Sequence, residues 1–283
     1  MTEKLIALVD GSIYSKSVCE NAAWIARRTG APVELLHVLG RRETASSDLS
    51  GSIALGARTA LLEELSSLDE QRSKLAQKRG RAILEDAEAV LRSAGVEDVT
   101  SRLRHGDLLE TVADAEPGSR GIVIGKRGEA ADFARLHIGS NLERIARSAT
   151  KPVFVAARAF RPIEKVLIAY DGGPSVMKAV DHVARAPLFA GLDIRLLTVG
   201  SESADVRRRL EDAQATLRAG GHTASIEIAS GQPETAISDV VERDGIDLLV
   251  MGAYGHSRIR AMIIGSTTAQ MMRSCKIPVV LFR

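Results

Sequence analysis

Ile246-Asp247-Leu248-Leu249-Val250-Met251-Gly252-Ala253-Tyr254-Gly255, nine further residues, then Gly265-Ser266-Thr267 is the stretch on which the fold of this chain turns. The apolar run up to Met251 has the length and branching of a buried strand, Asp247 apart. It empties into glycines, and Ser266, Thr267 and Thr268 then precede a helix-compatible segment over 269–273, closed by Lys276 and Pro278. A strand that ends in glycines, followed by a glycine–hydroxyl pair opening a helix, aims backbone N–H groups at phosphate. Glycine permits the close approach, and the helix N-terminus adds unpaired donors and a favourable dipole. From Met251 onward the chain carries Arg258, Arg260, Arg273, Lys276 and Arg283 and no carboxylate, a bias that suits an anion site. Two glycines three apart are more often an ordinary loop. What lifts this stretch above that reading is recurrence: Gly125-Lys126-Arg127-Gly128, ten residues, then Gly139-Ser140-Asn141 follow an apolar strand at 121–124. The spacer of this first copy is one residue longer.

The rest of the chain repeats in step. Residues 165–172, KVLIAYDG, restate residues 4–11, KLIALVDG; 194–199 mirror 33–38, Ser230-Gly231-Gln232 mirrors His105-Gly106-Asp107, and 277–280 mirror 151–154. The period is far above solenoid lengths, so this is a duplicated domain, 1–158 and 163–283, with a boundary near 159–162. The first copy is longer chiefly through an insert at about 41–75.

In chain order the first copy predicts a strand at 4–9, a helix at 17–28 stopped by Gly30, a strand at 33–39 and a mobile loop over 40–55. One long helix or two short ones follow over 57–94, with a charged face that is most simply solvated. Then come strands at 99–103 and 122–124 separated by a helix at 108–115, a helix at 141–148, and a strand at 153–156. The second copy offers the same alternation, with a helix over 204–219 in place of the long one. Strands linked by helices pair in parallel, in sheets covered on both faces. The expected fold class is therefore α/β: two tandem domains, each a five-stranded parallel sheet with helices on both faces. In such sheets ligands lie beyond the carboxyl ends of the strands, where the strand order reverses. Asp10 and Asp171 end the first strands and the glycine patterns end the fourth. If those strands are neighbours, carboxylate and glycine loop face each other across one crevice, an arrangement that suits a nucleotide.

Composition narrows the alternatives. The chain has 283 residues, 45% hydrophobic, 26% charged and only 3% aromatic, with a net charge of +2. Such a chain lacks both the stacking platforms of a single-strand binder and the basic surface of a DNA or membrane binder. Glu3 and Lys4 open a strand at once, unlike a signal peptide, and no apolar run reaches membrane-spanning length. Cys19 and Cys275 fall on helix-like segments in different halves without metal-ligand spacing, as buried thiols of a reducing compartment would, and a cytoplasmic location is expected.

Val9-Asp10-Gly11-Ser12, Tyr170-Asp171-Gly172-Gly173 and the two glycine patterns together resemble the universal stress protein family in its tandem form. The resemblance covers the whole chain apart from the insert. It implies two Rossmann-like, adenine nucleotide alpha hydrolase-like domains and, because the glycine pattern marks the family's ATP-binding class, ATP as the cofactor, with or without magnesium. It places Asp171 at the adenine or ribose, Val199 beside the adenine, and Gly252, Gly255, Gly265, Ser266 and Thr267 along ribose and phosphates; Met251, at the end of the fourth strand, is counted among the nucleotide-binding residues. The first copy offers Asp10, Val38, Gly125, Gly128, Gly139, Ser140 and Asn141, with the longer spacer against it. The family also pairs fifth strands edge to edge, so an intramolecular pseudo-dimer is implied, and a further homodimer is left open.

Other constellations carry less. His137-Ile138-Gly139-Ser140 is similar to a signature of adenylyl-transferring enzymes, but it follows the fourth strand where theirs follows the first. His105 and His256 should rim the crevices, where His256 either hydrogen-bonds a phosphate and joins the nucleotide-binding residues or, like His105, is an exposed loop histidine. Arg207-Arg208-Arg209, next to Glu211 and Asp212, reads as a solvated face. Lys126 and Arg127 either contact a phosphate or point outward. No nucleophile–base pair, lysine-bearing P-loop or metal spacing occurs, so no catalytic residue is assigned. The expected activity is a stress-response or signalling module that binds ATP with little or no turnover. The alternatives are a module for a non-nucleotide or lipid-like ligand, and a weak ATPase.

Overall fold

The computed structural model describes residues 3–40, 57–128, 139–253 and 265–283. The first repeat runs β1 (Lys4–Leu8), α1 (Ser15–Thr29), β2 (Val33–Leu39), α2 (Ala57–Ser93), β3 (Val99–His105), α3 (Leu108–Ala115), β4 (Ser119–Gly125), α4 (Ser140–Ser148) and β5 (Val153–Ala156). The second runs β6 (Lys165–Ala169), α5 (Pro174–Arg185), β7 (Asp193–Val199), α6 (Ala204–Ala219), β8 (Ala224–Ala229), α7 (Pro233–Asp244), β9 (Leu248–Gly252), α8 (Ser266–Ser274) and β10 (Val279–Phe282).

All ten strands belong to one sheet, ordered β3-β2-β1-β4-β5-β10-β9-β6-β7-β8. Within each half the pairing is parallel, and the strand order reverses between β1 and β4 and between β6 and β9. The halves join where β5 and β10 pair antiparallel, Val279 with Val155, Val280 with Phe154 and Leu281 with Val153. Both strands are buried along their whole length. Left unpaired, they would present two apolar edges to any other chain. The expected edge-to-edge joint is thus present, and it fuses the two five-stranded sheets into one.

Alternation along the strands builds two cores. Leu5 and Ala7 of β1, Phe154 of β5, Leu248 and Val250 of β9 and Val280 of β10 face one side, under α1, α2, α5 and α6. Ile6, Val153, Val155, Leu249, Met251 and Leu281 face the other, under α3, α4, α7 and α8. With both faces apolar the strands read as continuous hydrophobic runs, as buried parallel strands do.

Most local expectations hold. Helix α1 stops at Gly30, whose φ of 66° is the left-handed conformation glycine adopts cheaply and whose N–H reaches Ala26 O. Two predicted strands prove longer, because β3 pairs with β2 through to His105 and β4 extends from Ser119 to Gly125. The long helix is one unbroken element of 37 residues. Gly80 is no break within it. A Cβ there would lie 2.7 Å from Leu103 Cδ1, so the bare backbone is what lets α2 approach β3. The predicted mobile loop falls almost wholly on residues 41–56, outside the described residues.

Asp107 N-caps α3, accepting from Leu109 N at 2.8 Å and Glu110 N at 3.3 Å, and pairs with Arg144 of α4 at 3.0 Å. The guanidinium, then the two amides, hold its carboxyl below the usual range. Asp107→Ala is expected to cost about 1 kcal/mol in chemical denaturation at neutral pH. Because the folded-state value is the lower one, that difference is present above the ordinary carboxylate range and fades as pH falls through the folded-state value.

Candidate functional site

In the second half the expected residues converge on the strand ends. Asp171 stands two residues beyond β6, and its Oδ1 accepts from Gly173 N at 2.8 Å, closing a turn before Pro174 opens α5. Val199 ends β7, and Thr198 Oγ1 donates to Tyr170 O at 2.8 Å, tying the β7 and β6 exits together. Met251 is in register with Ala169 of β6, and Gly252 ends β9. Gly265 is the N-cap of α8, and its N–H donates to Ala253 O at 3.2 Å. Among the described residues no side chain caps this helix, and its own first turn holds no acid. The amides and hydroxyls of Ser266 and Thr267 therefore open a helix lying next to the end of β9. Thr268 Oγ1 donates to Gly252 O at 2.9 Å and pins that helix to the strand. Gly255 and His256 lie outside the described residues.

The first half repeats this scaffold. Asp10 Oδ1 accepts from Ser12 N at 3.0 Å and Ser15 Oγ at 3.3 Å, the counterpart of the Asp171 turn. Val38 lies in β2, and on the neighbouring position His37 Nδ1 bonds Val9 O at 2.7 Å, the counterpart of the Thr198 contact. Gly125 ends β4, and Gly139, the N-cap of α4, donates to Lys126 O at 3.3 Å ahead of Ser140 and Asn141. Asp10 and the glycine loop do face each other. A Cβ on Gly128 would be 3.0 Å from Asp10 Oδ2, while one on Gly125 would strike Tyr14 Cβ at 2.6 Å. The Tyr14 side chain thus lies directly against the first glycine.

Several residues behave differently from their sequence reading. Lys126 neither points outward nor meets a phosphate position. It is buried, and its Nζ donates to the carbonyl of Cys275 at the C-terminal end of α8 in the other half. Burial pushes its amine below the usual lysine range. Reciprocally, Arg283 Nη1 donates to Ser148 O at 3.2 Å, at the end of α4. Each half thus sends a basic side chain to the carbonyl end of the helix that opens at the other half's glycine pattern, where the dipole favours a cation. Thr267 Oγ1 donates to Glu234 Oε1 at 3.0 Å, so α7 brings a carboxylate to the α8 N-terminus that no motif announces. Arg207 and Arg208 pair with Glu202 and Asp205 as a solvated face does. Arg209 pairs with Asp205 at 2.5 Å, and its Nη1 is 3.7 Å from where a Gly172 Cβ would be, so it lies beside the crevice mouth. His105 ends β3 and is exposed. Of His137-Ile138-Gly139-Ser140, the first two lie outside the described residues.

Both cysteines are buried and free, and burial pushes the Cys19 thiol up to about 12, which keeps it inert as a nucleophile. Among the described residues no group of three or more His, Cys, Asp or Glu could hold a metal ion, and no helix is long and apolar enough to cross a membrane. A groove of about 620 Å³ runs elsewhere, between the end of α1 and the linker. Its Arg28 is already committed to the carbonyls of Leu188 and Ala190.

The family model described as the universal stress protein family matches residues 1–157 and 200–283. Universal stress protein Slr1230 of Synechocystis sp. is 38% identical over 286 residues, covering 99% of this chain and 100% of that one. A universal stress protein of Mycolicibacterium smegmatis is 24% identical over 97% of this chain and 95% of its own length. Among solved structures, a universal stress protein from Archaeoglobus fulgidus superposes with a TM-score of 0.76 at 20% identity, covering 100% of this chain and 99% of that one. The likeness runs end to end, through both repeats and across the joint between them, and this chain belongs to the universal stress protein family.

Proposed function

We propose that the chain binds ATP in the crevice of its C-terminal half and holds it without efficient turnover, so that occupancy serves as a stress-response or signalling state. The observation that carries this reading is the N-terminus of α8, opened by Gly265 and the Ser266 and Thr267 amides with no acid of its own in the first turn, set against the glycine end of β9 next to the strand that leads to Asp171. In this reading the phosphates rest on the amides and hydroxyls of Ser266 and Thr267, with Gly252, Gly255, Gly265 and His256 along their path. The base and ribose lie toward Asp171, Val199 and Met251. Magnesium, in this reading, arrives with the nucleotide. Glu234 is the carboxylate it would meet near Thr267. The first half supports weaker binding, because Tyr14 packs on Gly125 and Asp10 crowds Gly128. The domain limits 1–158 and 163–283 and a cytoplasmic location complete the proposal.

Little turnover is expected because Asp171 sits at the base end, away from the phosphate that hydrolysis would attack. Glu234 favours a second reading, a weak ATPase with this carboxylate near the attacking water. One experiment separates them. Melting with Mg-ATP at about 100 times its dissociation constant should stabilise the protein by about 2.7 kcal/mol. An unmoved melting temperature overturns the nucleotide proposal. Steady release of ADP over many turnovers, lost in Glu234→Gln, establishes the ATPase.

A further inference from the structure

Helix α2 carries an exposed seam that neither the sheet nor the crevices use. Its 37 residues span about 55 Å at 1.5 Å per residue, more than twice the 15 residues of α1. Its C-terminal part is anchored deeply, through Leu84, Ala87 and Leu91, at 5%, 5% and 0% exposure. Toward its N-terminal side, Leu68 and Leu75 are 45% and 67% exposed. They stand seven residues apart, two turns along one stripe, and Leu61 precedes them at the same spacing in the sequence.

Charge along this segment is segregated rather than mixed. Residues 63–70 hold Glu63, Glu64, Asp69 and Glu70 and no base, whereas residues 71–81 hold Arg72, Lys74, Lys78, Arg79 and Arg81 and no acid. A solvated helix face usually interleaves its charges as neighbouring pairs. Where the two blocks meet, Lys74 pairs with Glu70 at 2.6 Å. The macrodipole does not account for the pattern, because the basic block ends well before the last turn of the helix. An acidic block followed by a basic block is complementary to itself only when reversed.

We propose that α2 docks antiparallel on α2 of a second copy of this chain, Leu68 of each packing beside Leu75 of the other. The two-fold axis then falls between Gln71 and Arg72, and Glu64 of one chain comes to lie beside Lys78 of the second copy. Reversal is what brings unlike blocks together, since a parallel pair would set acid on acid and base on base. The seam spans fewer than twenty residues a side, below the roughly 1,600 Å² of a standard stable interface, so the dimer is reversible and salt-dependent. It leaves the β5–β10 joint and both crevices untouched and is independent of nucleotide.

The test is sedimentation velocity of the full chain at rising concentration, in low and high salt. The expected result is a monomer–dimer equilibrium that weakens with salt and is absent in Leu68→Glu/Leu75→Glu. That variant should keep its melting temperature, both positions being exposed. Glu64→Lys and Lys78→Glu should each weaken association about tenfold or more, and the two together in one chain should restore it. A monomer at every concentration, or a dimer that survives the double leucine replacement, overturns the proposal. Failure of the double charge exchange to restore association overturns the antiparallel register.

Discussion

Gly265→Val is expected to abolish nucleotide binding by the C-terminal half while leaving the nucleotide-free protein folded. Gly265 sits at φ −55° and ψ 143°, a conformation valine adopts without strain, so the backbone gives no reason for the helix to unravel. Its N–H remains free to donate to Ala253 O. What changes is the space. At the matching position of the first half, a Cβ on Gly139 would lie 3.3 Å from Lys126 O and 3.4 Å from Arg127 Cα, in the gap between glycine loop and helix. In the proposed site a branched side chain there intrudes on the phosphate. Titration calorimetry should show affinity falling by about a hundredfold or more, and the stabilisation of about 2.7 kcal/mol at saturating Mg-ATP should vanish. Gly139→Val should leave most of that stabilisation in place. An unchanged ATP response in Gly265→Val would remove the phosphate seat from α8.

The largest stability loss is expected at a position with no ligand near it. Gly220, just past α6, has φ −77°, so its backbone conformation does not require glycine. An added Cβ would nevertheless lie 2.1 Å from Ala184 O, 2.8 Å from its carbonyl carbon and 3.0 Å from its Cα. The obstacle is the backbone of α5, which cannot rotate aside as a side chain could. To make room, α5 would have to lift, and its Val176, Ala179, Val180 and Val183 are fully buried against the sheet. Gly220→Ala is expected to cost about 3 kcal/mol or more, at or beyond the upper end for overpacking. The neighbour makes the control: Gly221 has φ +85° but nothing within 4 Å, so Gly221→Ala should cost only about 1–2 kcal/mol of left-handed strain. Urea denaturation of both variants decides the order. If Gly221→Ala proves the costlier, the close approach of α5 and α6 is not what holds them.

Much of this architecture was legible because it is written in local periods. The helices at 108–115 and 204–219 and the strands at 33–39 and 153–156 agree with the structure to the residue. Their stop signals, such as Gly30, act within one turn. The duplication then supplied each half as a check on the other. It is why two modest glycine patterns pointed to the strand ends where Asp10 and Asp171 stand. What escaped reading depends on residues far apart in sequence. Lys126 looks like a loop cation until the β5–β10 joint brings Cys275, 149 residues away, within its reach. Tyr14 carries no signal in the sequence, yet it packs against Gly125. Glu234 belongs to a helix with no motif of its own and reaches Thr267 only because α7 and α8 pack side by side. Gly220 gives no sign in its φ, and its role is visible only from Ala184.

The antiparallel joint of β5 and β10 has a consequence for how such a protein can change. When two separate identical chains pair, any mutation is imposed on both members, and dilution pulls them apart. Here the tether keeps the partner strand at high local concentration however dilute the protein becomes. Each half can also diverge alone. A bulky ring over one glycine, or one extra residue in one spacer, leaves the opposite crevice untouched, so the two halves are free to take on different tasks.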